Sequence, residues 1–206
     1  MRILAIFGSP RRNGNSRTMA EALLARTEAL GEERGEPVEV ERVFLNALEY
    51  KGCQHCDACK GVLDGCALGD DLAPVLRAAR ECDVLLLATP VYYGEVSAQL
   101  KGFIDRMYSF LVPGYARAEV RTRLAPGKRL VMVVAQGHPK EDLFADIFPR
   151  YAYFFRHYHR FAATRLVRAC GVYSLGDAAG RAEALALAER EAQRLFEPVG
   201  PITPAP

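Results

Sequence analysis

The chain has no tryptophan, only four histidines and four methionines, and no large excess of charge of either sign. A net charge of +2 over 206 residues lacks the basic footprint by which a protein neutralises nucleic-acid phosphates. No apolar run approaches the roughly 18–20 residues of a membrane span, and the N-terminal run Ile3–Phe7 carries no cleavage-site pattern. Membrane and nucleic acid are therefore not expected partners, and a cytoplasmic location is expected. Ser-His-Asp and paired-carboxylate arrangements that would demand a catalytic side chain are missing too. What is present is ordinary for a globular protein, 50% hydrophobic and 25% charged, at a length that suits one domain with a sizeable core.

Five segments read as strands: 2–7, 38–43, 83–89, 129–135 and a more broken one at 165–174. Three are nearly continuous apolar runs, and helical patterns alternate with them at 16–30, 72–79, 97–111, 140–163 and 177–195. Gly31 is read as ending the first helix, Pro90 as stopping the third strand, and Pro149 as bending or splitting the fourth helix. Buried parallel strands with helices between them make a doubly wound α/β sheet covered on both faces. The chain is read as one domain over 1–197, with a cysteine-rich loop at 50–67 and a loose Pro-rich tail at 198–206.

Ligands of such sheets bind at the carboxyl ends of the strands, where the loops 8–16, 90–96 and 136–139 should gather. In the first, Gly8-Ser9-Pro10-Arg11-Arg12-Asn13-Gly14-Asn15-Ser16 turns a strand into a helix start through glycines and hydroxyls. Free N–H groups and the partial positive charge of a helix N-terminus make that an anion site. A triphosphate loop is excluded by Asn15 where a lysine should stand, and only two glycines, too far apart, answer to a dinucleotide fingerprint. The second loop, Thr89 to Ser97, offers aromatic rings and backbone amides on which a flat heterocycle can stack, although Tyr92 and Tyr93 fit core or subunit packing equally well.

Together, Gly-Ser-Pro-Arg-x-x-Gly-Asn-Ser at 8–16 and Pro-Val-Tyr-Tyr-Gly-x-Val-Ser-Ala-Gln-Leu-Lys-x-Phe-Ile-Asp-Arg at 90–106 resemble the flavodoxin-like NAD(P)H-dependent FMN reductases. The resemblance covers most of residues 1–135. It implies a flavodoxin-like five-stranded parallel sheet in the order 2-1-3-4-5. It also implies FMN, with its phosphate at Ser9, Arg11, Asn13, Gly14, Asn15 and Ser16, its ring against Pro90, Val91, Tyr92, Tyr93 and Gly94, and the site completed by Gln136 and Gly137. NAD(P)H would be the co-substrate and a quinone, flavin or similar small molecule the acceptor.

Four of six cysteines, Cys53, Cys56, Cys59 and Cys66, fall within fourteen residues, while Cys82 and Cys170 sit beside apolar runs as small core residues. The compact group resembles the iron–sulfur flavoprotein branch of the same family, which implies these four as ligands of a [4Fe-4S] cluster. Zinc, a disulfide and free thiols are the alternatives for the same loop. The cluster reading brings a second function, an electron carrier with a reduced protein such as ferredoxin as donor. Finally, eight aromatics at 144–161 are more than one core-facing stripe needs, from which a homodimer or homotetramer interface is expected.

Overall fold

The computed structural model describes residues 1–199; residues 200–206, most of the expected Pro-rich tail, lie outside the described residues. Six strands, β1 (Arg2–Phe7), β2 (Glu39–Phe44), β3 (Val84–Tyr92), β4 (Glu95–Val96), β5 (Arg129–Gln136) and β6 (Ala163–Cys170), form the sheet. Its order is β2-β1-β3-β5-β6, with every neighbouring pair in that path parallel. The five parallel strands thus follow the expected 2-1-3-4-5 winding of a flavodoxin-like sheet, and β4 is an addition, two residues paired antiparallel to the end of β3. The helices are α1 (Asn15–Arg34), α2 (Leu72–Glu81), α3 (Ala98–Arg106), α4 (Ile147–His157) and α5 (Ala182–Arg194).

The sheet separates two hydrophobic cores. One face packs Leu85, Leu87, Leu130 and Met132 against α2, α3 and α4; the other packs Ile3, Leu86, Val131 and Val167 against α1 and α5. Alternation along each strand sends its residues to both cores, which is why the central strands read as unbroken apolar runs. No helix among the described residues is long and apolar enough to cross a membrane.

Several boundaries depart from the sequence reading. Gly31 does not end α1, which runs on to a left-handed Gly35 at φ 68°. A Cβ at Gly31 would lie 2.5 Å from Val38 Cγ2, so this glycine serves the close approach of the chain entering β2. β3 passes through Pro90 to Tyr92: proline lacks only a donor, and the strand end tolerates that loss. The helix expected at 140–163 is helical only from Ile147, with Pro149 in the first turn, where its missing N–H is not needed. The long third and fifth helices begin or end as 3-10 turns, at Met107–Phe110 and Asp177–Gly180.

The aromatics of 144–161 are divided by α4. Tyr151, Phe155 and Phe161 are buried, Phe144 and Phe148 pack partly buried against the core, and only Tyr153 and Phe154 are strongly exposed. Cys82 is buried as expected, while Cys170 is half-buried.

Candidate functional site

The loops that follow β1, β3 and β5 meet at the carboxyl edge of the sheet around a cavity of about 600 Å³. That lies within the roughly 300–1,000 Å³ of small-molecule sites. The first loop contributes Ser9, Arg11, Gly14, Asn15 and Ser16; the end of β3 contributes Pro90, Val91 and Tyr92; the third contributes Ala135 to Pro139.

The anion end is built from backbone. The Gly8 N–H donates to Ala88 O at 2.8 Å, which ties the turn to β3, and the Gly14 N–H closes it on Arg11 O at 3.1 Å. A Cβ at Gly8 would stand 2.8 Å from both Leu100 Cβ and Ser97 Oγ, and one at Gly14 would stand 2.8 Å from Ser9 Oγ. Neither position has room for a side chain. α1 then starts at Asn15, and among the described residues the N–H groups of Asn15 and Ser16 find no acceptor. Free amides at a helix N-terminus, beside the buried Ser9 hydroxyl and the Arg11 side chain, form a cradle for a phosphate.

Buried polar groups hold this edge in place. Ser97, fully buried at the start of α3, donates its hydroxyl to Gly8 O at 2.7 Å and accepts the Leu100 N–H. Its own N–H donates to Thr89 Oγ1 at 3.0 Å. One serine thus caps α3 and joins the first loop to the second.

Two expected ligand side chains have other work. The Asn15 amide donates to Val172 O and Ser174 O and accepts the Ala178 N–H, so it pins the 171–178 segment over α1. The Gln136 amide donates to His138 O and Lys140 O and accepts from Arg168, which shapes the 136–140 loop. Both line the cavity while their side-chain hydrogen bonds are spent within the chain, leaving backbone as what they offer a ligand.

Asn13, Tyr93 and Gly94 do not line the cavity. Tyr93 (φ 50°) and Gly94 (φ 76°) are the left-handed pair of a two-residue hairpin turn between β3 and β4, and the Tyr93 ring is fully exposed. A Cβ at Gly94 would meet the Phe144 ring at 3.0 Å. The aromatic wall is therefore Tyr92 with Phe144, and Tyr173 stands over Gly137, where a Cβ would come within 3.0 Å of its ring. Sequence reasoning missed Val172 and Tyr173. The rule that ligands gather at strand carboxyl ends points equally to the loop after the last strand, which holds Val172 and Tyr173.

Glu95, just past this turn, is pushed up by burial but held below the usual carboxylate range by the Val96 N–H, the Arg150 guanidinium and the Tyr151 hydroxyl.

The cysteine loop is organised differently. Cys53 and Cys56 are exposed, Cys59 is buried and Cys66 half-buried, and all six cysteines of the chain are free. His55 and Asp57 both take left-handed backbone angles, φ 50° and 53°, between the first three cysteines. The loop's C-terminal end hangs on Arg106, which is fully buried at the end of α3. Arg106 donates Nε–H to Cys66 Sγ at 3.0 Å, grips Asp70 through both terminal nitrogens, and reaches Lys51 O and Leu68 O. The Asp70 carboxyl, pushed up by burial, is nonetheless held below its ordinary value by Arg106 and by the N–H groups of Lys51 and Leu72. Four thiols suit an iron–sulfur cluster in chemistry, yet among the described residues no three His, Cys, Asp or Glu side chains come together to hold a metal ion. As arranged, the loop does not form a closed ligand set.

Residues 1–141 match the family model described as NADPH-dependent FMN reductase. Two curated relatives are an iron-sulfur flavoprotein of Archaeoglobus fulgidus, 34% identical over 141 residues, and one of Methanocaldococcus jannaschii, 37% identical over 128. These alignments take in 68% and 62% of this chain and span 58% and 62% of the relatives' own lengths. Among solved structures, an NAD(P)H:quinone oxidoreductase from Methanothermobacter marburgensis superposes with a TM-score of 0.74 at 22% identity, covering 96% of this chain and 98% of that one. An FMN-dependent NADH-azoreductase from Bacillus anthracis, solved with FMN, gives 0.71 at 16% identity over 96% and 100%. At these identities the structures speak for the fold.

Proposed function

The chain belongs to the NADPH-dependent FMN reductase family, and on that premise we propose that it passes electrons from NAD(P)H through bound FMN to a quinone, a flavin or a similar small acceptor. It is a flavoprotein oxidoreductase by family. The observation that carries the finer reading is the cavity, with free helix-start amides at one end and the Tyr92 and Phe144 rings at the other. A phosphate fits the amides of Asn15 and Ser16, the Ser9 hydroxyl and Arg11, over the bare Cα of Gly14. A flat ring fits against Pro90, Val91 and Tyr92 on one side and the Gln136–Gly137 backbone on the other. Tyr93 and Gly94 act through the shape of their turn.

When bound, FMN supplies the redox chemistry, accepting a hydride and returning electrons singly or in pairs. The chain's part is to bind, orient and shield. His138 lines the cavity, but its Nδ1 accepts the Lys140 N–H and shapes its own loop. The test is the visible spectrum of the purified protein. Flavin absorption that NADPH or NADH bleaches is expected, whereas a colourless protein that takes up no added FMN sinks the reading.

A second reading is favoured by the four clustered cysteines together with the iron-sulfur flavoprotein relatives: an electron carrier whose loop closes around a [4Fe-4S] cluster and whose donor is a ferredoxin-like protein. Because the thiols do not converge as arranged, the loop must rearrange to bind one. Iron and acid-labile sulfide in equal amounts after anaerobic purification would support it; zinc, or no metal, would not. Six free cysteines accord with a reducing, cytoplasmic setting. The homodimer or homotetramer rests on the exposed Tyr153 and Phe154 edge of α4, and sedimentation as a monomer at micromolar concentration removes it.

A further inference from the structure

One side of the cavity at the sheet edge is held by a residue that does not line it. Arg168 lies on β6, the edge strand of the sheet, opposite Val134 of β5. Its guanidinium donates to Gln136 Oε1, to Glu141 O at 2.8 Å and to Leu143 O at 2.6 Å. All three acceptors are uncharged oxygens. All three belong to the stretch 136–143, which leaves the end of β5 and runs along the cavity.

Each arm of this fork sets a different part of the wall. Gln136 is buried, and its Nε2 donates to His138 O and Lys140 O, both at 2.7 Å. A guanidinium can only donate, so Arg168 dictates which end of the Gln136 amide faces β6. Turned the other way, the amide would press its oxygen onto two carbonyls and its NH2 onto a cation. Without the arginine, the buried Oε1 loses its partner. The second arm grips Glu141 O and Leu143 O, just before Phe144. That residue takes the left-handed φ of 62°, and its ring lies 3.0 Å from where a Gly94 Cβ would stand. A bulky residue keeps such a backbone only where its surroundings over-determine it.

We propose that Arg168 is a positioning residue for the ring end of the cavity. It fixes the Gln136–Pro139 backbone and the Phe144 ring, the surfaces that receive a flat ligand, while standing outside the cavity itself. The inference rests on the FMN reading and deepens it. The role suits arginine, whose rigid planar fork meets several oxygens at once, where the compact ammonium of lysine cannot span them. The phosphate end is built separately, from the amides that start α1 with Ser9 and Arg11. Arg168 therefore governs how the ring is held and leaves the phosphate alone.

The experiment titrates the full-length apoprotein with FMN and with riboflavin, in the unchanged chain, in Arg168→Met and in Arg168→Lys. Arg168→Met is expected to weaken both ligands about tenfold, the worth of one orphaned buried acceptor. The ratio of the two affinities should stay as it was, and the visible circular dichroism of the flavin bound at saturation should change. Arg168→Lys, which keeps the charge but not the fork, should lose nearly as much. Unchanged FMN affinity in Arg168→Met or full affinity in Arg168→Lys would overturn the proposal. So would a fall in the FMN-to-riboflavin ratio, since the effect would then reach the phosphate end. An unaltered flavin spectrum at saturation would reduce Arg168 to a support of the fold. If Arg168→Met does not fold, the same readings on Arg168→Lys decide. Failure of the unchanged protein to take up either ligand would strike the FMN reading, and this inference with it.

Discussion

The carboxyl edge of the sheet and the cysteine loop are both built around loops, but they hold their shapes by different means. At the sheet edge, backbone amides, the Ser97 hydroxyl and bare glycine Cα atoms fix three loops against one another before any ligand arrives. The cysteine loop has two exposed thiols and two left-handed non-glycine residues, and side chains anchor it: the buried Arg106 at its ends, Arg123 on Cys59 O, and its own Lys60 on Tyr108 O and Leu111 O. The first region is preorganised, so a ligand meets a cradle that needs little ordering. The second is held at its two ends and around Cys59 but leaves Cys53 and Cys56 at the surface, so its closure is left to whatever the thiols bind.

That contrast can be broken most forcefully at Arg106. Replacing it with methionine leaves Asp70 charged without its partner and removes the donor to Cys66, so a stability loss of about 3–5 kcal/mol is expected in urea unfolding. A loss under 1 kcal/mol would mean the loop is held elsewhere. Next is Gly8→Ala, whose new methyl must displace Leu100 or Ser97. A cost of about 1–3 kcal/mol is expected, together with weaker FMN uptake, because the turn and the start of α3 move together. Ser97→Ala removes one hydroxyl from two hydrogen bonds and should cost about 1–2 kcal/mol in the same assay, with no change in thiol reactivity of the cysteine loop.

The smallest effect belongs to Glu95. Its carboxyl is held below the ordinary range in the folded chain, so it stabilises the fold above the unfolded value and that share is lost as pH falls through the folded one. Glu95→Gln should therefore lower stability by under about 1 kcal/mol at pH 7 and make no difference at strongly acid pH, the group being about one-third exposed. Equal loss at both pH values would show that the charge is not what matters.

Much of this was legible in the chain. The apolar runs at 83–89 and 129–135 announced buried parallel strands, and the glycine-hydroxyl turn at 8–16 announced an anion site by local chemistry. What stayed hidden depended on partners distant in sequence. Nothing local says that Asn15 spends its side chain on Val172, Ser174 and Ala178, or that Gln136 accepts from Arg168 on the last strand. The two-residue β4 was invisible because a strand that short exists only through the Tyr93–Gly94 turn. Gly31 reads as a helix stop until Val38 is seen packed against it. The aromatic run at 144–161 looked too rich for a core because its alternation across α4 had to be known first.

The central claim is that the α1 end of the cavity holds a phosphate, and it is tested most directly by titrating the apoprotein with FMN and with riboflavin. The two ligands differ only by that phosphate. The account predicts FMN to bind at least about a hundredfold more tightly, equivalent to nearly 3 kcal/mol. Equal affinity for the two would contradict it.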